Sequence, residues 1–509
     1  MSSPAIPKGF DPTDPALIEE RIPHEEFAAL RKTAPVFWIE QEEDARSGMN
    51  GGNGFFAVSK HEHVKEVSRN STDFSTWENT AIIRFMPGMT REQVEAQRII
   101  LINQDPPDHT QLRGIISRGF TPRAIGSLHD ALKERAEKIV REAHEKGSGN
   151  FVDDVAAELP LQAIADLLGV PQEDRRKLFE WSNQMLAYDD PEYSVDPEAA
   201  SVEILTYAMM LAEDRKANPR DDIVTKLMQA DVDGHALTAD EFGFFVILLA
   251  VAGNETTRNA ITHGMNAFFE NPEQWELFKS ERPKTMADEV IRWATPVTTF
   301  QRTALKDIEV GGVPVKKGQR VGLFYASANF DTDVFEDPHT FDITRDPNPH
   351  VAFGGHGAHF CIGANLARLE VDLIFNALAD LTPDISKAGE PRRRRSAWIN
   401  GIKELQVNYK EVCVRAAPRS RTPRVERSPR GVLPFGSARR WSRSAHARRI
   451  HVCCVVPSSR CSSAASDVDK GAPTKASANH PLRIATFTFC IASTKVLSPV
   501  RPRPRMTDT

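Results

Sequence analysis

Two long stretches of the chain repeat apolar residues with helical spacing. LHDALKERAEKIVREAHEKGSG carries Leu, Ala, Ile and Val along one face and stops at glycine, the pattern of an amphipathic helix with a glycine terminator. The stretch beginning at Thr238, TADEFGFFVILLAVAGNETTRNAITHGMNAFFE, opens with Thr238 and Glu241 in capping-box spacing and ends where Asn271-Pro272 cannot continue the turn. At 33 residues it would run about 50 Å, and only a large helical domain buries such a rod. IEVGGVPVKKGQRVGLF reads instead as strands around a Gly311-Gly312 turn. The expected fold is mainly α with a minor β region, one large domain over residues 23–412 after an N-terminal extension at 1–22. The periodicity stops after residue 412. RAAPRSRTPRVERSPRGVLPFGSARRWSRSAHARR offers no apolar face to bury, so 413–509 is expected to be a disordered basic tail.

Charge sharpens that division. Residues 413–509 hold 16 Arg and 3 Lys against 4 Asp and Glu, a balance of +15, so the first 412 residues carry −21 of the whole chain's −6. A basic arm for nucleic acid is one reading of such a tail. An appendix, even one translated from an altered reading frame, explains the abrupt change better, and no nucleic-acid partner is expected. The longest apolar run, Phe242 to Gly253, is too short to span a bilayer. The N-terminal stretch lacks a basic segment followed by an apolar one, so no secretory leader and a cytoplasmic location are expected.

Cysteine use is the most selective feature. Cys361 is the one cysteine before Cys413; the others are Cys453, Cys454, Cys461 and Cys490. It lies in AFGGHGAHFCIGANLARLE, behind Gly354, Gly355 and Gly357, which permit tight positive-φ backbone. A helix signal follows directly, and a helix N-terminus lowers a thiol's pKa. A cysteine-ligated haem suits this arrangement. A buried inert cysteine and a zinc site using His356, His359 and Cys361 are the alternatives.

Three further groups stand out. AGNETT puts Gly253, Glu255 and Thr256 in the middle of the long apolar helix. Glycine there costs about 1 kcal/mol against alanine, and a buried carboxylate needs partners. Such a breach of the local rule suits a groove that binds dioxygen beside an acid and an alcohol, or a plain helix kink. Glu289 and Arg292 in MADEVIRWATPV stand three apart on one helical face, where ion pairs are common on solvated helices. His109, Arg113, Arg302 and His359 could clamp carboxylates together, although each alone reads as an ordinary surface residue.

In this order, these groups resemble the cytochrome P450 family of haem-thiolate monooxygenases, over about Pro23 to Tyr409. Phe353, Gly357, His359, Cys361 and Gly363 take the places of the family's cysteine loop. Glu289-x-x-Arg292, with Arg345 in FDITRDPNPH, matches its structural acid and arginines, and AGNETT matches its oxygen-binding helix. Phe353 lies eight residues before Cys361, where most members have seven. That longer loop is similar to a bacterial subgroup oxidising steroid and branched-lipid side chains, as are ENTAIIRF, ILINQDPPDHT, ISRGFTPRAI, WATPVTTFQRTAL and WINGIK.

The resemblance implies haem b with Cys361 as iron ligand. It implies His109, Arg113, Arg302 and His359 on the propionates, Phe353 over the ligand, and Glu255, Thr256 and Gly253 as the catalytic groups. It further implies O2, a soluble ferredoxin with an NAD(P)H-dependent reductase, and a hydrophobic sterol-like substrate oxidised at a terminal methyl. Phe74, Ile82, Phe85 and Val251 suit the lining of a substrate pocket, and core packing explains each of them equally well. A peroxygenase or isomerase of the same fold and a non-enzymatic haem or zinc sensor are the rival classes.

Overall fold

The computed structural model describes residues 6–410, apart from 194–195, 221–222, 230 and 233–234. The basic tail expected from the sequence lies outside the described residues. The described residues form one compact unit.

Thr238 starts the longest helix, Ala239–Glu270. Its hydroxyl accepts the Glu241 N–H at 3.1 Å while the Glu241 carboxylate accepts the Thr238 N–H at 2.9 Å, so two otherwise unpaired donors are satisfied reciprocally. The helix ends at Asn271, and Pro272 opens the next one, Pro272–Glu281. It runs unbroken through AGNETT. Gly253 has another reason: a Cβ there would stand 2.5 Å from Ile164 Cδ1, so the missing side chain lets the Glu158–Leu167 helix approach closely.

The Arg175–Leu186, Pro197–Ala217, Met286–Ala294 and Ala364–Leu381 helices pack around this rod, and Ala364–Leu381 also lies along His129–Lys146. Gly147, at φ +88°, stops the latter helix. Phe268 of the central helix meets Trp275, Phe278, Phe341 and Phe375 with ring centroids 5.1–5.9 Å apart. Each such buried ring contributes roughly 1.5–3 kcal/mol, which is why this end of the helix is the heart of the core. No helix among the described residues is long and apolar enough to cross a membrane.

The β region is small. One five-stranded sheet runs in the order Val36–Glu40, Gly54–Val58, Arg320–Phe324, Thr299–Ala304, Phe74–Ser75. Only the pairing of Gly54–Val58 with Arg320–Phe324 is parallel. Ile308–Val310 and Val313–Val315 pair around the Gly311-Gly312 turn. Alternation along Thr299–Ala304 decides what the sheet presents. Phe300 and Arg302 face one side, and Gln301 turns to the other, where its amide donates to Asn79 O and Ile82 O.

Glu289 and Arg292 are not a solvated pair: both side chains are 0% exposed. Arg292 makes two bonds to the Glu289 carboxylate, at 2.8 and 2.7 Å, and donates to Asn329 O and Pro338 O. Glu289 also accepts from Arg345 Nε at 3.2 Å, Asn348 Nδ2 at 3.0 Å and the Asp342 N–H at 3.0 Å. The group fixes the chain leading into the Cys361 loop.

Candidate active site

A cavity separates the middle of the Ala239–Glu270 helix from the Cys361 loop. Leu249, Ala252, Gly253, Thr256, Thr257 and Ala260 form the helical wall, at the three- and four-residue spacing of one helix face. The Thr256 hydroxyl donates to Ala252 O at 2.6 Å.

Glu255 lies elsewhere than expected. At about 100° per residue it points away from the wall that Gly253 and Thr256 share, and it does not line the cavity. Its carboxylate instead accepts from Arg258, from Asn259 Nδ2 at 2.9 Å and from Arg394 Nη1 at 2.9 Å. Burial alone would raise its pKa, but the Arg258 and Arg394 guanidiniums, with the Asn259 bond, overcome this and hold it at about 2. Glu255 is an ionised, clamped group and not an acid open to the cavity.

The opposite wall is the loop. Gly354, Gly355, His356 and Gly357 all have positive φ, between 70° and 97°. A Cβ on Gly357 would stand 2.2 Å from Ser68 O, so only glycine lets the loop press on the His61–Arg69 helix. The Cys361 N–H donates to Phe353 O at 2.9 Å, which ties the two ends of the loop together despite its eight-residue spacing. Cys361 and Phe353 both line the cavity.

Cys361 is exposed to the cavity, yet the protein around it desolvates the thiol and pushes its pKa up, against the Gly363 N–H and the Arg113 and Arg368 charges; the helix proper begins only at Ala364. The zinc arrangement also fails. His356 stacks on Phe360 with centroids 5.4 Å apart, and His359 packs on His109 at 4.3 Å. Among the described residues no group of three or more His, Cys, Asp or Glu could hold a metal.

His109, Arg113, Arg302 and His359, from three separate segments of the chain, meet at one edge of this cavity. His109 and Arg113 share a face of the Asp108–Ile116 helix, four residues apart. Arg302 arrives from the sheet, with Phe300 beside it. Burial lowers the pKa of both arginines, and neither pairs with a carboxylate among the described residues; Arg302 donates to Gln301 O at 2.7 Å and Arg113 to Phe360 O. Burial, with Arg113 adding to it, lowers His109 to about 4, so it is neutral. His109 Nδ1 and the Tyr325 hydroxyl, also at this edge, are buried without partners.

Buried cations and orphaned hydrogen-bonding atoms around an otherwise apolar gap call for a largely apolar group that bears anions. An iron porphyrin has apolar faces, carboxylates along one edge and a metal that takes a thiolate, so the residues present fit it.

Sequence reasoning missed several groups here. Tyr325, just past the Arg320–Phe324 strand, is one. Glu370 is another: it lines the cavity, is 1% exposed and has no hydrogen bond to either carboxyl oxygen. Burial pushes it up to about 8, and the nearby Thr257 side chain, which the geometry does not bring into a hydrogen bond, offsets this only slightly, so it is protonated at neutral pH. Its signal was an acid among Leu, Ala and Val on a buried helix face. Of the two readings for Phe74, Ile82, Phe85 and Val251, core packing holds: none lines the cavity. Phe74 is in the sheet core, Ile82 and Val251 pack with Leu186 and Trp398, and Phe85 packs with Met49 and Val94.

A family model for cytochrome P450 matches residues 284–379. A steroid C26-monooxygenase of Rhodococcus jostii is 66% identical over 410 residues, 81% of this chain and 87% of the relative. A methyl-branched lipid omega-hydroxylase of Mycobacterium tuberculosis is 41% identical over 394 residues, 75% of this chain and 90% of the relative. A Mycobacterium marinum cytochrome P450 solved in complex with pseudoionone superposes with a TM-score of 0.73 at 35% identity, covering 80% of this chain and 100% of that one.

Proposed function

The chain belongs to the cytochrome P450 family, and from that premise we propose that it hydroxylates the terminal methyl group of a steroid side chain. Haem b held through the Cys361 thiolate supplies the activation of dioxygen, given electrons from outside. The observation that carries the reading is the cavity itself: Cys361 on one wall, Gly253 and Thr256 on the other, and unpaired Arg113 and Arg302 at the edge.

The chain's own residues then have separate tasks. Arg113 and Arg302, with His109, His359 and Tyr325 as neutral donors, hold the carboxylate edge of the haem. Phe353 holds the Cys361 N–H through its carbonyl. Thr256, its proton engaged by Ala252 O, offers oxygen lone pairs to the cavity and accepts a hydrogen bond there. Glu370 keeps a proton at neutral pH and faces the same space. Glu255, ionised between Arg258 and Arg394, fixes the helix behind Thr256. Glu289, Arg292 and Arg345 keep the approach to the loop rigid.

The rest of the lining is apolar, with Leu101, Ile102, Phe245, Leu248 and Val297 among it. Such a surface selects hydrocarbon by shape and excludes water, which suits a sterol tail ending at a methyl group. Electrons come from a soluble ferredoxin served by an NAD(P)H-dependent reductase, and the protein works in the cytoplasm. The relative acting on steroids at 66% identity favours a sterol, and the one acting on methyl-branched lipids at 41% supplies the second reading.

The test is turnover of cholestenone by the purified chain with ferredoxin, reductase and NADPH. Product carrying one added oxygen on the terminal methyl is expected. Oxidation of a methyl-branched fatty acid in preference to cholestenone would favour the second reading, and oxygen added to the ring system would contradict both.

A further inference from the structure

We infer that Asp288 is a positioning residue for the Cys361 ligand, acting through a clamp on Phe353; this rests on the haem-thiolate reading above. The loop from Phe353 to Cys361 is long, and four of its nine residues have positive φ, so something must fix its ends. Asp288 lies on the Met286–Ala294 helix, one residue before Glu289. A single carboxylate oxygen, Oδ1, accepts from His350 Nε2 at 3.0 Å and from Arg368 Nε at 2.7 Å. His350 precedes the loop and Arg368 follows Cys361, so this carboxylate joins the two flanks.

Both partners reach Phe353. The Arg368 guanidinium lies 4.6 Å from the Phe353 ring centroid, and the His350 ring centroid is 5.5 Å from it. His350 Nδ1 accepts the Ala352 N–H at 3.3 Å, which leaves the ring proton on Nε2 to be donated to Asp288. Phe353 in turn accepts the Cys361 N–H. The order of contacts is therefore Asp288, then His350 and Arg368, then Phe353, then Cys361. Phe353 is held by partners that are themselves held, as a ligand's support requires.

Asp288 and Arg368 are about one-third exposed, at 33% and 35%, so their bond is partly screened by water and should add little to global stability. Its effect belongs on the ligand. Without the Asp288 charge, Arg368 stands uncompensated near the sulfur and Phe353 loses its fixed neighbours. Positive charge near the thiolate favours the reduced iron, and a loosened N–H donor weakens control of the sulfur.

The test uses the haem-loaded full chain as wild type, Asp288→Asn, Asp288→Glu and Arg368→Gln. The readouts are the haem reduction potential, the carbon monoxide spectrum of the reduced form and the thermal midpoint. Asp288→Asn should raise the potential and move part of the carbon monoxide complex from the thiolate-type band to the band of a lost thiolate. Asp288→Glu should restore most of both. Arg368→Gln should also increase the lost-thiolate fraction, and it decides the matter if Asp288→Asn loads no haem. Unchanged potential and spectrum in Asp288→Asn, with only a lower thermal midpoint, would overturn the inference and leave Asp288 a structural residue. A wild type without the thiolate-type band would instead overturn the functional reading, so the two failures are distinct.

Discussion

Arg292 and Arg302 are both buried, at 0% and 4% exposure, yet their surroundings differ in kind. Arg292 has a carboxylate on its fork and backbone carbonyls on its remaining donors. Arg302 has one carbonyl and no carboxylate among the described residues. A charge buried without a counterion costs several kcal/mol, so an arginine like Arg302 is retained only if something else completes it. The first environment is finished by the protein and reads as structure. The second is unfinished and reads as a place for an anionic ligand. The same contrast separates Glu255, held at about 2 by two guanidiniums, from Glu370, pushed up to about 8 with no cation beside it.

The strongest way to break this comparison is to unfinish the finished side. Glu289→Ala leaves Arg292 buried without its carboxylate and should cost about 3–5 kcal/mol, read as a fall in the urea midpoint and poor recovery of haem-loaded protein. A loss below about 1 kcal/mol would mean the pair is no more than a surface-type bridge.

Glu370 gives the next largest effect, through pH. Its folded pKa of about 8 lies above the usual 4.5, so the folded state binds the extra proton in that window. Its contribution to stability is complete below about 4.5 and is lost as pH rises through about 8. The total change is on the order of a few kcal/mol. Glu370→Gln should flatten that slope in unfolding curves taken across the window; an identical slope in the variant would place the titration elsewhere.

Arg302→Ala sharpens the comparison from the other side. Removing a cation that the protein itself does not pair should leave apoprotein stability unchanged or higher, while haem dissociation rises by about 10–100-fold, the loss of a charged hydrogen bond worth about 1.5–3 kcal/mol. Transfer of haem to an acceptor protein measures it. Equal destabilisation of apo and loaded forms would place Arg302 with Arg292. The smallest effect is expected from Thr256→Ala, which should keep haem and fold but divert electrons to peroxide, raising the peroxide-to-product ratio about tenfold, at the low end of proton-transfer contributions. Unchanged coupling would remove Thr256 from the proton path.

What was legible in the sequence was local. Cys361 among its glycines, the Thr238 cap and the Glu289–Arg292 spacing are all written within a few adjacent residues. The orientation of Glu255 was legible too, had the helix been drawn as a wheel: Gly253 and Thr256 share a face that excludes it. What was not legible depends on partners far away in sequence. Arg394 meets Glu255 across 139 positions and Arg368 meets Asp288 across 80, and no spacing rule connects them. Tyr325 and Glu370 matter because of which partners they lack, and the absence of a partner is a property of packing. Phe74 and Val251 make the same point, since an apolar residue suits a pocket wall and a packed core equally.

The measurement that bears most directly on the whole account is the carbon monoxide difference spectrum of the purified, dithionite-reduced protein. A strongly red-shifted Soret band, absent in Cys361→Ala, is the predicted result, because within the described residues Cys361 alone can supply a thiolate. A band typical of histidine-ligated haem, or a folded protein that takes up no haem, would contradict it.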